Sequence, residues 1–283
     1  MTRFTNLPRK LRFHGANVLY YLRYRRKLGI GFCDFIHLKR QGFRQQQGKQ
    51  TRLRGRQVEF SSSFWFLHSV DEIFVREVYR FKCGHDTPTI IDCGANIGLS
   101  VLYFKTLFPQ AKVTAFEADP GIFQALQRNV AEYQMAEVHL HNAAVWTAIG
   151  RLGFNADGAL GGKISATNAA SAEVECIRLK DLLRHRIDFL KIDIEGAEYA
   201  VLKDCQDDLK NVDRLFVEYH STPGEPQTLD EILAILRAAG FRYYAQEAWP
   251  AMTHPYLQHG DRFVYDLQLN IFAYRPSSEI ARP

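Results

Sequence analysis

The chain has 283 residues, of which 46% are hydrophobic and 24% charged, and a formal net charge of +5. That length holds one large α/β domain with an extension, and the composition is that of an ordinary globular protein. No run of 18 or more apolar residues is present, which excludes a membrane-spanning helix. The basic N-terminus lacks the apolar stretch of a secretory signal.

Five cysteines (Cys33, Cys83, Cys93, Cys176, Cys205) are scattered without a Cys-x-x-Cys pair. Reduced thiols are therefore expected, rather than a zinc site or a disulfide framework, and with them a cytoplasmic setting, open to peripheral membrane attachment. The charge is uneven. Residues 1–57 carry 15 Lys or Arg against one acid, Asp34, a net of +14 that leaves 5 − 14 = −9 for residues 58–283.

In chain order, residues 1–57 read as a basic extension. Leu11, Val18, Leu19 and Leu22 share a helical stripe, and the Gly-, Gln- and Arg-rich stretch 41–57 reads as a mobile linker or exposed loop. Residues 58–87 form a lead-in, whose spacing of Val70, Ile73, Phe74, Val78 and Phe81 predicts a helix over 70–81. Pro88 opens the main domain, expected over 88–276 with a tail at 277–283.

There, strands at 89–91, 112–116, 137–140, 189–192 and 214–217 alternate with helices at 99–107, 121–133, 197–202 and 229–239. Phe263-Val264-Tyr265 and Leu269 to Tyr274 read as two closing strands. Short apolar β-rich runs alternating with helices predict a doubly wound α/β fold, a mostly parallel sheet covered on both faces.

The strongest motif follows the first strand: Asp92-Cys93-Gly94-Ala95-Asn96-Ile97-Gly98. Glycines at a strand's carboxyl end allow a tight turn and close backbone approach to a ligand. A dinucleotide fingerprint aligned on Gly94 needs glycine at 96 and 99, where Asn96 and Leu99 stand. The acidic Asp92 repels a pyrophosphate and suits a cationic ligand such as S-adenosylmethionine. Glu117, 25 residues after Asp92 at the end of the next strand, is placed to accept both ribose hydroxyls. A nucleotide-dependent oxidoreductase is the rival enzyme. A non-catalytic binding module is the rival class, and it would be expected to have lost Asp92, Gly94, Gly98 or Glu117.

With these pieces the sequence resembles the FkbM family of methyltransferases. The resemblance runs through residues 91–98, Ala115-Phe116-Glu117-Ala118-Asp119-Pro120, Asn142-Ala143-Ala144-Val145, residues 187–198 and Val217-Glu218-Tyr219-His220, covering roughly 70–275. Lys191-Ile192-Asp193-Ile194-Glu195-Gly196-Ala197-Glu198 is its most specific block. The resemblance implies a seven-stranded methyltransferase sheet, Asn142 and Ala143 near the adenine, and O-methylation of a sugar, glycan or secondary-metabolite hydroxyl. The cofactor site is then expected at Asp92, Gly94, Ala95, Asn96, Gly98, Glu117, Asn142 and Ala143.

For an alcohol acceptor a general base is needed. Acidic and imidazole groups cluster at two neighbouring strand ends, so Asp193 is expected to face the acceptor, with His220 or Glu218 as base or orienter. Glu195 and Glu198 divide equally between structural and functional roles. Asp193, Glu218 and His220 also offer O and N donors for Mg²⁺ or Mn²⁺, without an i, i+4 ligand motif to commit them. The glycine-rich stretch 150–162 reads as a substrate-side lid or a hairpin loop. Trp249 to Tyr256 reads as an aromatic acceptor wall or as core. For the basic arm the expected partners are an anionic membrane surface or the acidic body itself; nucleic acid fits the charge but lacks a motif.

Overall fold

The computed structural model describes residues 9–43, 50–155, 163–165, 172–249, 254, 256–257 and 264–276. The N-terminal extension forms α1 (Arg9–Leu28), α2 (Phe32–Phe43), the strand pair β1 (Gln50–Leu53) and β2 (Arg56–Glu59), and α3 (Ser63–Val70), which runs into a π-helical turn over Asp71–Val75. The main domain opens with β3 (Thr89–Cys93), α4 (Leu99–Leu107), β4 (Lys112–Glu117), α5 (Pro120–Glu132) and β5 (Val138–Asn142). A smaller unit follows: β6 (Ala144–Trp146), β7 (Gly150–Asn155), β8 (Lys163–Ser165) and β9 (Ala172–Arg178). The chain then completes the main sheet with β10 (Phe189–Ile192), α6 (Glu198–Asp204), β11 (Arg214–Ser221), α7 (Leu229–Ala238), β12 (Arg242–Glu247) and β13 (Leu267–Tyr274).

Seven strands form the main sheet in the order β12-β13-β11-β10-β3-β4-β5, and β13 alone runs against its neighbours. The expected α/β fold with a mostly parallel seven-stranded sheet is what the structure shows. Successive side chains on a strand point to opposite faces, so Ile90 packs into one core with α4 and α5 while Ile91 packs into the other with α6 and α7. From β3 the chain turns one way to β4 and later returns to lay β10 on the other side. The carboxyl ends of β3 and β10 therefore flank a topological switch point, where open α/β sheets form a crevice.

Three local expectations are corrected. The lead-in helix lies earlier than 70–81. Ser62 caps α3 by accepting from Trp65 N–H, and Glu77, at φ 58°, lies in the break beyond the helical turns. The stretch 50–57 is no linker: Arg54 and Gly55 take positive φ values of 51° and 85°, the requirement of a tight hairpin turn. The hairpin seats on α5, with Glu59 N–H donating to Asn129 Oδ1 at 2.8 Å and Tyr133 Oη to the Leu53 carbonyl at 2.6 Å. In α1, Leu19 and Leu22 face solvent, and the aromatic stripe of Tyr20, Tyr21 and Tyr24 meets the body instead.

At the closing edge, Val264 lies outside any strand and β12 partners β13. Residues 250–253 fall outside the described residues, as does the expected loop at 156–162. Residues 150–155, the start of that loop, form strand β7. Among the described residues no helix is long and apolar enough to cross a membrane.

Candidate active site

The crevice at the switch point is a cavity of about 480 Å³, within the range of small-molecule sites. Its floor is the glycine turn. Gly94 and Ala95 N–H both donate to the Phe116 carbonyl, at 3.0 and 2.9 Å, which ties the turn after β3 to the end of β4. Gly94 has φ +85°, and a Cβ built on it would lie 1.8 Å from the Asp193 carbonyl oxygen. No other residue type fits between the two strand ends.

Glu117 closes the next side. It is 8% exposed, and its two carboxylate oxygens accept from Asp119 N–H and Asn96 N–H, both at 2.9 Å. Burial lifts its pKa to about 7, against the pull of those two amides. The amides fix the carboxylate while its remaining lone pairs stay available to a pair of hydroxyls. Asn96 N–H, one of the amides a pyrophosphate would take, is already committed to a carboxylate. This geometry argues against the dinucleotide alternative.

Five of the eight expected cofactor residues line the cavity: Gly94, Ala95, Asn96, Glu117 and Ala143. Asp92, Gly98 and Asn142 do not, and each has an identifiable structural task. Asp92 is fully buried; it accepts from Ser100 Oγ at 2.5 Å and pairs with Lys191 at 3.3 Å. Gly98, at φ +91°, lets α5 close on the turn, since a Cβ there would meet Leu126 Cδ1 at 2.7 Å. Asn142 Nδ2 donates to the carbonyls of Glu117 and Ala118, holding the end of β4.

The opposite end of the cavity is acidic. Asp193 and Glu218 line it as expected, joined by Glu195 and by Glu72, which sequence reasoning missed. Glu72 sits in the π-helical turn, a distortion that recurs at functional sites, and accepts from Asn270 Nδ2 at 2.7 Å. Lys191, also missed, is buried between the strand ends. Its Nζ lies 3.1 Å from Asp193 Oδ2 and donates to the Gly94 carbonyl at 2.8 Å. A lysine inside the apolar run of β10 was the signal for it.

His220 does not reach the cavity wall; it stands one layer behind, with its side chain 1% exposed. Its Nδ1 is 3.1 Å from Glu198 Oε1. Glu198 also accepts from the backbone N–H groups of Ile194 and Gly196, which ties it to this turn. Burial alone would lower the His220 pKa, but Glu198, Glu195 and Glu218 together hold it up at about 10. Of its two expected roles, base or orienter, that direction favours the orienter. Burial raises Glu218 well above the carboxylate range, helped by Asp193, and lifts Glu195 to about 7.

The outer wall is aromatic. Trp65 and His68 from α3 meet Trp249, with ring centroids 5.7 and 5.2 Å from it, and all three line the cavity. Trp249 thus lines the cavity, whereas Tyr256 is 95% exposed and does not.

The methyltransferase FkbM domain profile matches residues 92–243. Methyltransferase 1 of Beauveria bassiana is 28% identical over 59% of this chain and 78% of its own length. The 31-O-demethyl-FK506 methyltransferase FkbM of Streptomyces tacrolimicus is 28% identical over 62% of this chain and 80% of its own. A solved methyltransferase FkbM from Methylobacillus flagellatus is 19% identical, with a TM-score of 0.46 over 68% of this chain and 44% of its own. The glycine turn, the Glu117 carboxylate and the matched domain lead to one assignment: this chain belongs to the FkbM family of S-adenosylmethionine-dependent methyltransferases.

Proposed function

We propose that the protein methylates a hydroxyl oxygen on a sugar, glycan or secondary-metabolite acceptor. The observation that carries this reading is the continuity of one cavity from Gly94 and Glu117 to the carboxylates of Asp193 and Glu218. A ribose at the first end and a reacting hydroxyl at the second would share one chamber. One relative's name, 31-O-demethyl-FK506 methyltransferase, is that of an enzyme acting at an oxygen, which supports the choice.

S-Adenosylmethionine, when bound, supplies a methyl group on a sulfonium. Glu117 would accept the ribose hydroxyls, Ala143 would flank the adenine, and the Gly94 turn would let backbone carbonyls approach the methionyl portion. On the acceptor side the task is alignment, because in-line displacement depends mostly on holding two reactants in register. Asp193 is fixed by Lys191 and would orient the acceptor oxygen; Glu218 would take its proton as the new C–O bond forms. Trp65 and Trp249 would pack against the acceptor scaffold and exclude water.

The test begins with calorimetric titration of S-adenosylhomocysteine beside NAD⁺. Binding of the first alone, lost in Glu117→Ala, supports the cofactor half. Incubation with S-adenosylmethionine and a library of hydroxylated acceptors then follows, and an O-methyl signal in the product supports the rest. A methylated nitrogen, or NAD⁺ binding, would overturn the reading.

A further inference from the structure

Asp193, Glu195 and His220 each present one ligand atom, and these atoms lie within 4.8 Å of one another. Ligands on an ion at about 2.1 Å stand roughly 3 to 4 Å apart, so a small contraction brings the three onto a common centre. The donor set, two carboxylates and an imidazole without thiolate, suits a hard-to-borderline divalent cation and not a soft one.

A second observation points to a ligand. His220 Nε2 is buried and has no hydrogen-bond partner among the described residues. It is aimed at Glu195 Oε2, 3.5 Å away, and at Glu218 Oε1, 3.6 Å away. The other ring nitrogen, Nδ1, is held at 3.1 Å by Glu198, itself anchored by two backbone amides. With Nδ1–H held by Glu198, the arrangement that orients histidines behind bound metals, a cation would displace the Nε2 proton to solvent and take that nitrogen's lone pair. The same wall gathers several carboxylates around one imidazole. Lys191 is shared between Asp92 and Asp193, so among the described residues the cationic neighbour of Glu195 and Glu218 is His220 itself, and Tyr265 Oη donates to Glu195 Oε2 at 2.5 Å.

We infer that Asp193, Glu195 and His220 form a site for one divalent cation of the Mn²⁺ and Mg²⁺ class at the acceptor end of the cavity. The purpose assigned to it rests on the methyl-transfer reading. A cation there would take the acceptor hydroxyl as a further ligand and favour its deprotonation beside Glu218. A different cluster, Cys83, His85 and Asp188, also brings three donor atoms together. It precedes β3 and β10, at the opposite edge of the sheet, and carries the Arg186 guanidinium 3.6 Å from Asp188, which disfavours a cation. That cluster provides the control.

The test is titration of the full, chelator-treated chain with MnCl₂, followed by calorimetry and pulsed electron paramagnetic resonance. One Mn²⁺ per chain is expected, with nitrogen modulation from one imidazole. Affinity should fall roughly tenfold or more in Glu195→Gln and in Asp193→Asn, and stay unchanged in His85→Ala. No saturable binding at millimolar Mn²⁺ would overturn the inference and leave the imidazolium proton as the counter-ion of this wall. Binding lost in His85→Ala but kept in Glu195→Gln would overturn it as well. S-Adenosylhomocysteine titrated alongside separates the two readings: binding of that ligand without Mn²⁺ sinks the cation site alone, and Mn²⁺ without that ligand sinks the methyltransferase site alone.

Discussion

Gly94 and Asp193 meet backbone to backbone, with the Asp193 carbonyl oxygen where a Gly94 side chain would begin. This contact joins the cofactor end of the cavity to the acceptor end. It predicts that Gly94→Ala, strained by its positive φ as well, abolishes S-adenosylhomocysteine binding. Gly98→Ala should behave differently. Its added Cβ presses on Leu126, so stability should drop by about 1–3 kcal/mol while ligand affinity changes little. Urea unfolding and calorimetry on the pair separate the two roles.

Lys191 and Asp92 are buried to 3% and 0% side-chain exposure. Lys191→Met removes the cation and leaves the fully buried Asp92 carboxylate without its ion-pair partner. A loss of about 3–5 kcal/mol is expected, the usual cost of orphaning a buried charge. Adding Asp92→Asn should restore part of it, and recovery by denaturant titration is the check. Equal instability of the single and double variants would argue against the pairing.

Glu117 gives a pH dependence. With a folded pKa near 7 against an ordinary 4.5, the folded protein holds more protons than the unfolded chain between those values. Its contribution to stability is therefore lost as pH rises through that window. Ligand binding runs the other way, because ionised Glu117 accepts from both ribose hydroxyls. S-Adenosylhomocysteine affinity should rise roughly tenfold from about pH 6 to about pH 8, and Glu117→Gln should flatten the profile.

On the acceptor side, Glu218→Gln should lower turnover by about 10²- to 10⁴-fold with cofactor binding intact. Trp249→Ala should instead raise the acceptor KM and leave kcat within a few-fold. Both are read from S-adenosylhomocysteine release with the acceptor found by screening. A Trp249 variant that lost kcat at unchanged KM would move the ring from wall to machinery.

Much of this was legible in the residues, for local reasons. The helix at 99–107 and the strand at 189–192 coincide with their expected limits because Gly98 and Pro109 bracket the first and the second is continuously apolar. β12 was missed because it is an edge strand exposed along most of its length, so Arg242-Tyr243-Tyr244-Ala245 shows no alternation. Gly98 looked like a ligand-contacting glycine; its reason is Leu126, 28 residues away, which no local pattern records. Glu72 could not be found from spacing at all, because its place in the site depends on a π-helical turn and on Asn270.

That last contact spans 198 residues of sequence. Bonds this distant form late, since the loop they close must first be ordered. During synthesis, the glycine turn and Glu117 emerge and can pair long before Asn270 leaves the ribosome. Glu72, made earlier than either, waits for β13. The residues that mark the donor end, Gly94 and Glu117, are thus synthesised well before Asn270, the residue that holds Glu72 at the acceptor end.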